Sequence, residues 1–311
     1  MPPKLLETGE TTARKEISTT SHKQRIRQVL RLARSRFARA SVYTWATLMA
    51  VVLSTAGIPD PSTALLASLS TFLISLAVYV LNDLADLEVD KINAPNRPLV
   101  QGSINGSDAL GMILLLNSGG LAIGYLFGIQ TFLISMGEIG LGIAYSIKPF
   151  VLMNRALAKT LAIGVGGMMA ILFGGAAAGN INGTVIYCAI LFLAFLFTTS
   201  PINDLADYVG DLAQGRRTIP IRIGRRNTVR LALLASIAPM ASAPLALPLL
   251  GLNSMTTILF GLLAARSIQI LAPLLRENTN HQSVRILHKR LVPLHFLLQL
   301  SLVIGTLPIL T

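Results

Sequence analysis

Two nine-residue phrases, NDLADLEVD at 82–90 and NDLADYVGD at 203–211, share the opening N-D-L-A-D and carry three aspartates each. On an α-helix, Asp83, Asp86 and Asp90 fall at i, i+3 and i+7, within roughly 60° of one another around the axis. Asp204, Asp207 and Asp211 do the same. Each phrase therefore predicts a stripe of carboxylates, with Asn82 or Asn203 beside it and Glu88 pointing elsewhere as a solvated bystander. Like charges in a partly dehydrated site oppose one another's ionisation. Divalent cations relieve that conflict, and hard oxygen donors suit Mg²⁺, which keeps several waters and bridges carboxylates to phosphate oxygens. Two facing stripes could grip a diphosphate through Mg²⁺, with Asn82, Asp83, Asp86, Asp90, Asn203, Asp204, Asp207 and Asp211 as the expected ligands. Carboxylates alone would also suit Ca²⁺ or a transported cation. The bases that follow favour a bound anion: Lys91 and Arg97 in KINAPNRP, Arg216 and Arg217 in GRRTIP. Guanidinium grips diphosphate oxygens bidentately, whereas a pure cation site gains nothing from it. Lys148, in AYSIKP, adds a point charge at another helix end.

Composition says what must position these residues. Of 311 residues, 52% are hydrophobic and only 13% charged, and the mean hydropathy is +0.63. A soluble domain carries about 25% charged residues. Apolar runs of bilayer-crossing length occur at about 42–57, 62–81, 108–127, 130–147, 157–178, 184–202, 228–249, 254–274 and 291–309, predicting an all-α polytopic membrane protein of nine transmembrane helices. Residues 1–40 are polar and then basic. Ile26, Val29, Leu30, Leu32, Ala33 and Phe37 recur at helical spacing, so 22–40 reads as a basic amphipathic helix on an anionic membrane surface. Glu7, Glu10 and Glu16 argue against a transit peptide. The expected organisation is a basic cytosolic arm over 1–40 and a transmembrane domain over 41–311.

The net charge of +12 tests this count. With the N-terminus cytosolic, Lys91, Arg97, Lys148, Arg155, Arg216, Arg217, Arg222, Arg225, Arg226, Arg276, Arg285, Lys289 and Arg290 all fall in inward loops. The outward loops at 57–62, 127–130, 179–184 and 250–254 hold no Lys or Arg. Positive charge concentrates on the cytoplasmic side of membrane proteins, which explains the basic balance without nucleic acid. The lone Cys188 lies in an apolar run and excludes an intramolecular disulfide. The two acidic phrases emerge on the same face four spans apart, so the chain is an internal duplication in which spans two and three correspond to spans six and seven. Such repeats place a shared site at their interface.

NDLADLEVD followed by KINAPNRPLVQG, the AYSIKP segment and DYVGDLAQGRRTIPIRIG resemble the motifs of the UbiA-type intramembrane prenyltransferase superfamily, over about residues 40–310. The resemblance implies nine helices around a central cavity, capped by the acidic loops, with a polyprenyl diphosphate bound through Mg²⁺. It implies metal and catalytic roles for Asp83, Asp86, Asp90, Asp207 and Asp211, with Asn82 in the first motif. Tyr145 and Lys148 match the element that reaches the diphosphate, beside Arg97, Arg216 and Arg217. One departure concerns the acceptor: members often carry Arg-Pro at the start of the first membrane helix, where this chain reads RFARASVYTW.

The expected reaction is ionisation of an allylic diphosphate in a dry apolar chamber, followed by attack of a lipophilic acceptor, aromatic in the first expectation. A terpene cyclase shares the ionisation but uses an internal alkene as nucleophile. A transporter needs carboxylates at the midplane, whereas these sit at helix ends. Glu138, inside a span, either faces the cavity or bonds a neighbouring helix. His295 reads as a structural hydrogen-bonder, and the small residues of GVGGMMAILFGGAAAG (164–179) as a close helix contact.

Overall fold

The computed structural model describes residues 7–55, 58–276 and 280–308, with side chains from Ile26 onward. Residues 1–6 of the expected arm, and the far ends of the expected spans 42–57 and 291–309, lie outside that description. The described chain is helical throughout. It runs α1 (Glu7–Ser54), α2 (Pro61–Ala85), α3 (Leu87–Asn93), α4 (Gly106–Leu126), α5 (Ile129–Ser146), α6 (Ala156–Ala177), α7 (Gly183–Ala206), α8 (Tyr208–Ala213), α9 (Ile219–Ser236), α10 (Ala238–Leu250), α11 (Met255–Leu271), α12 (His281–Leu291) and α13 (Pro293–Gly305).

Side-chain caps and prolines start the long helices. Asp60 accepts from Thr63 N at 2.8 Å just ahead of Pro61, and Asn105 accepts from Asp108 N at 2.8 Å. Asn182 and Asn280 do the same for α7 and α12. Each satisfies a backbone donor that the first turn leaves orphaned, and Pro61 has none to satisfy.

Eight stretches of the described residues are long and apolar enough to cross a bilayer: Ile26–Ser54, α2, α4, α6, α7, Ile219–Leu250, Met255–Leu275 and His281–Gly305. The fourth expected span, α5, packs among α2, α4 and α6. With Gln130 and Glu138 among its 18 residues, it falls short of the same measure of apolarity. Two expected spans begin earlier than their apolar cores. The seventh starts at Ile219 and turns at Gly224, whose φ of 76° favours a residue without a β-carbon. The ninth starts at His281 and bends at Val292, where Pro293 cannot donate to the preceding turn.

The basic segment does not separate from the first span. Helix α1 continues through residue 40, and Leu32 and Ala40 are fully buried with Leu76, Ala77 and Val80. Val29 and Ala33 pack against the same cluster, while Ile26, Leu30 and Phe37 are largely exposed, Phe37 with its ring edge-on to Phe72.

The duplication is visible in the packing. α1 lies on α2 and α2 on α4; in the second repeat α6 lies on α7 and α7 on α9. The repeats meet where α1 crosses α6. There a β-carbon on Gly174 would run into the carbonyl of Thr47; on the side of α6 that meets α7, one on Gly167 would run into the ring of Phe192. The small residues of 164–179 therefore serve close helix approach, as expected.

Candidate active site

Both acidic phrases fold alike. α2 ends at Ala85 and α7 at Ala206, and the next residue, Asp86 or Asp207, stands outside helical geometry (φ −99°, ψ 12°; φ −100°, ψ 9°) before a short helix resumes. Each stripe is thus split over two helices rather than carried on one. The Asp86 N–H still reaches Asn82 O at 2.9 Å, and that of Asp207 reaches Asn203 O at 3.1 Å, so the carboxylates keep nearly helical spacing. In both repeats the asparagine amide donates to the bend aspartate at 3.1 Å, Asn82 to Asp86 and Asn203 to Asp207.

The short helices α3 and α8 pack on each other. Asn93 of α3 donates to the carbonyl of Asp207 at 3.3 Å, and a β-carbon on Gly210 would collide with the Asn93 amide. This contact turns the two phrases face to face. Arg216 stands between them, one Nη donating to Asp86 of the first repeat and the other to Asp211 of the second at 3.3 Å. A single guanidinium joins both stripes, so they can share one ligand.

Beneath lies a cavity of about 780 Å³. Asn82, Asp86, Asp90, Asn203, Asp204, Asp207 and Asp211 line its mouth, with Arg36, Arg97, Lys159, Arg216 and Arg285. Ile74, Val78, Leu141, Ile163, Phe192 and Leu196 line it further in. Tyr43, Tyr79 and Tyr145 also face it, Tyr43 lying 6.2 Å from Tyr79 and 6.1 Å from Phe192 between ring centroids. Asp83 does not reach the cavity. It is buried behind the mouth, gripped through both oxygens by Arg36 and approached by Arg97 at 3.1 Å. Lys148 and Arg217 are exposed and do not line the cavity; Arg217 contributes only its backbone N–H, which bonds Asn154 O at 3.0 Å.

Three basic partners were not singled out from the sequence. Arg36 neutralises Asp83, Lys159 sits 2.6 Å from Asp204, and Arg285 donates to Asp207 at 2.7 Å. Lys159 carried a readable signal, because a charge within an apolar span is costly unless paired. Arg36 was hidden among the many arginines around it.

Burial pushes the Asp211 carboxyl up to about 6 against the pull of Lys159 and Arg216, and pushes Asp90 up against Arg97. As the side chains lie, no three acidic, His or Cys side chains among the described residues are grouped closely enough to hold a metal ion. The donor chemistry nevertheless fits one. Asp204 Oδ2 and Asp211 Oδ2 are buried oxygens with no hydrogen-bond donor. Glu138 is buried at the cavity wall with Oε2 unpartnered. His295 bonds Thr199 at 2.9 Å between Phe192 and Phe195, the structural role expected of it.

Among the described residues, eight bilayer-length apolar helices around a chamber whose mouth carries paired acids and bases define a multi-pass membrane protein. The sequence pattern of the UbiA prenyltransferase family matches residues 43–296. The chain is 30% identical over 196 residues to the digeranylgeranylglyceryl phosphate synthase of Thermococcus kodakarensis, covering 62% of this chain and 68% of that one. It is 28% identical over 252 residues to the synthase of the same name from Sulfurisphaera tokodaii, covering 80% and 87%. A UbiA homologue from Archaeoglobus fulgidus, bound to GPP and Mg²⁺, shares the fold at a TM-score of 0.64 and 17% identity, over 87% of this chain and 99% of that one. The chain belongs to the UbiA prenyltransferase family, and it is a prenyltransferase.

Proposed function

We propose that this enzyme moves a polyprenyl group from an allylic diphosphate to a lipophilic acceptor, with Mg²⁺ as cofactor. The observation that carries the reading is Arg216 joined at once to Asp86 and Asp211, which brings the two acidic phrases to one ligand's width above an apolar cavity. Asn82, Asp86, Asp90, Asn203, Asp204, Asp207 and Asp211 are the residues placed to hold Mg²⁺. When bound, the metal supplies Lewis-acid stabilisation of the departing diphosphate.

The chain's own residues do the rest. Arg97, Arg216, Lys159 and Arg285 are close enough to exchange carboxylates for diphosphate oxygens, fixing the head at the mouth. Asp83 acts through Arg36 and Arg97, which it positions. The apolar wall takes the prenyl tail and excludes water that would quench an allylic cation. The faces of Tyr43, Tyr79 and Tyr145 offer negative quadrupoles along the path of that cation. The allylic C–O bond breaks with its electron pair on diphosphate. The acceptor oxygen then forms the new C–O bond, and its proton leaves to a carboxylate of the mouth or to the diphosphate.

The first expectation of an aromatic acceptor finds no support in the relatives. Their shared name denotes a glyceryl phosphate bearing two geranylgeranyl groups. A prenylated glyceryl phosphate with one free hydroxyl is therefore the favoured acceptor, and a C20 allylic diphosphate the favoured donor. The distribution of basic residues supports an orientation with the acidic mouth on the cytosolic side.

Purified enzyme supplied with Mg²⁺ and geranylgeranyl diphosphate, with and without geranylgeranylglyceryl phosphate, tests the reading by product analysis. An ether-linked product that needs the acceptor is expected. Cyclic hydrocarbon formed without acceptor would replace this reading with that of a cyclase. Labelling of 179–184 from one side of sealed vesicles and of the acidic loops from the other checks the orientation.

A further inference from the structure

Two kinds of cation face the cavity. Arg36, Arg97, Lys159, Arg216 and Arg285 each hold a carboxylate. Arg39 of α1 and Lys289 of α12 also line the cavity, yet neither has a carboxylate within ion-pair distance among the described residues. His288 lines it as well, with its ring in the field of Arg39, Arg285 and Lys289. Arg39 and Lys289 are exposed at the rim and His288 is half-buried beside them; all three line the cavity, whereas Arg290, one residue further on, does not.

We propose that Arg39, His288 and Lys289 form a second anion subsite in the same cavity, and that it holds the phosphate head of the acceptor. This rests on the prenyltransferase reading above. Two anionic amphiphiles must be seated together without their heads competing for one place. The carboxylate-rich mouth accepts a phosphate only after metal has reversed its sign. The Arg39–His288–Lys289 cluster needs no metal, since it is already cationic and without a counter-charge. Arg285 marks the boundary between the two, because it is spent on Asp207. The subsite lies between α1 and α12, and α1 meets the following helix, α13, through Trp45 and Phe296, whose ring centroids are 5.7 Å apart. The acceptor head is therefore held at one side of the mouth while its tail shares the apolar chamber.

A bilayer phospholipid carries similar phosphate chemistry, so the test separates the two sources. The full chain is placed in zwitterionic nanodiscs, and binding is read from the emission of Trp45, the only tryptophan in the sequence. The probes are geranylgeranylglyceryl phosphate and the corresponding alcohol without phosphate. The phosphate form is expected to bind at least about tenfold more tightly. Arg39→Gln and Lys289→Gln should each weaken it about tenfold, about 1.4 kcal/mol, while leaving the alcohol unchanged. Arg39→Lys should restore most of the loss. The proposal fails if the phosphate preference survives the Arg39→Gln/Lys289→Gln double variant. It also fails if Mg²⁺-dependent binding of geranylgeranyl diphosphate weakens equally. Phosphatidylglycerol that displaces the probe from the wild type as effectively as unlabelled acceptor would assign the subsite to bilayer lipid and overturn the acceptor role. Because binding is read without turnover, a chain that binds the phosphate probe through these residues but does not prenylate it refutes the proposed reaction while leaving the subsite standing.

Discussion

The two repeats handle the same acidic phrase differently. In the first, Asp83 is withdrawn from the cavity and both of its oxygens are taken by Arg36 of α1, with Arg97 close by. In the second, the matching Asp204 lines the cavity and meets a single ammonium, Lys159 of α6, leaving Oδ2 with no donor. α1 and α6 hold equivalent places in the duplication, and each supplies a basic residue to the N-D aspartate of its repeat, Arg36 in one and Lys159 in the other. A planar guanidinium saturates a carboxylate and fixes it, whereas an ammonium engages one oxygen and leaves the other available. The bend aspartates, by contrast, are matched down to the 3.1 Å bond from the preceding asparagine. On the proposed reading, the comparison separates a scaffolding acid from working ones within two nearly identical sequences.

The largest expected effects concern the working acids. Asp86→Ala and Asp207→Ala should lower turnover by about 10²–10³-fold or more with the protein still folded in the membrane; steady-state rates on purified protein check this. Turnover within tenfold of wild type in either would count against the shared-ligand reading. EDTA should likewise stop turnover and Mg²⁺ restore it. A chelator-indifferent enzyme would remove the metal from the mechanism.

Next comes the asymmetry itself. Arg36→Met strands a buried Asp83 and should destabilise the fold by about 3–5 kcal/mol, read as a lowered melting temperature in detergent. Pairing it with Asp83→Leu should recover much of that loss. Asp83→Asn should lower stability more than activity per folded molecule, whereas Asp204→Asn should do the reverse. Equal behaviour of the two would show that the repeats have not diverged as described. The smallest effects belong to Lys148→Ala and Arg217→Ala, whose exposed side chains leave the cavity untouched. Less than a threefold change in KM for the diphosphate is expected, and a tenfold change would bring those residues back into the site.

Much of this arrangement was legible in the sequence because it rests on repetition and periodicity. Matching phrases after matching apolar runs put both acidic stripes on one face, and the structure brings them together. The bends at Asp86 and Asp207 were not legible, since backbone bonding continues through them and no proline or glycine marks them. Lys148 was placed in the site by its neighbourhood to Tyr145. But α5 ends at Ser146, and the helical register that turns Tyr145 inward does not extend to Lys148. Arg36 and Arg285 escaped notice for the opposite reason. They lie far along the chain from their partners, and each is surrounded by other basic residues that topology explains equally well. The α5 span was expected from its apolar run, yet Gln130 and Glu138 make it more polar than the eight others.

The placement of Arg216 has a consequence for how the enzyme loads. That side chain stands in the middle of the acidic cluster and pairs with it from both sides. On the proposed reading, Asp86 and Asp211 would be the carboxylates to hold metal, and the Arg216 guanidinium they release would be free to grip a diphosphate. Each should therefore sharpen the other's affinity, so that the pair binds far more tightly than the separate titrations add up to.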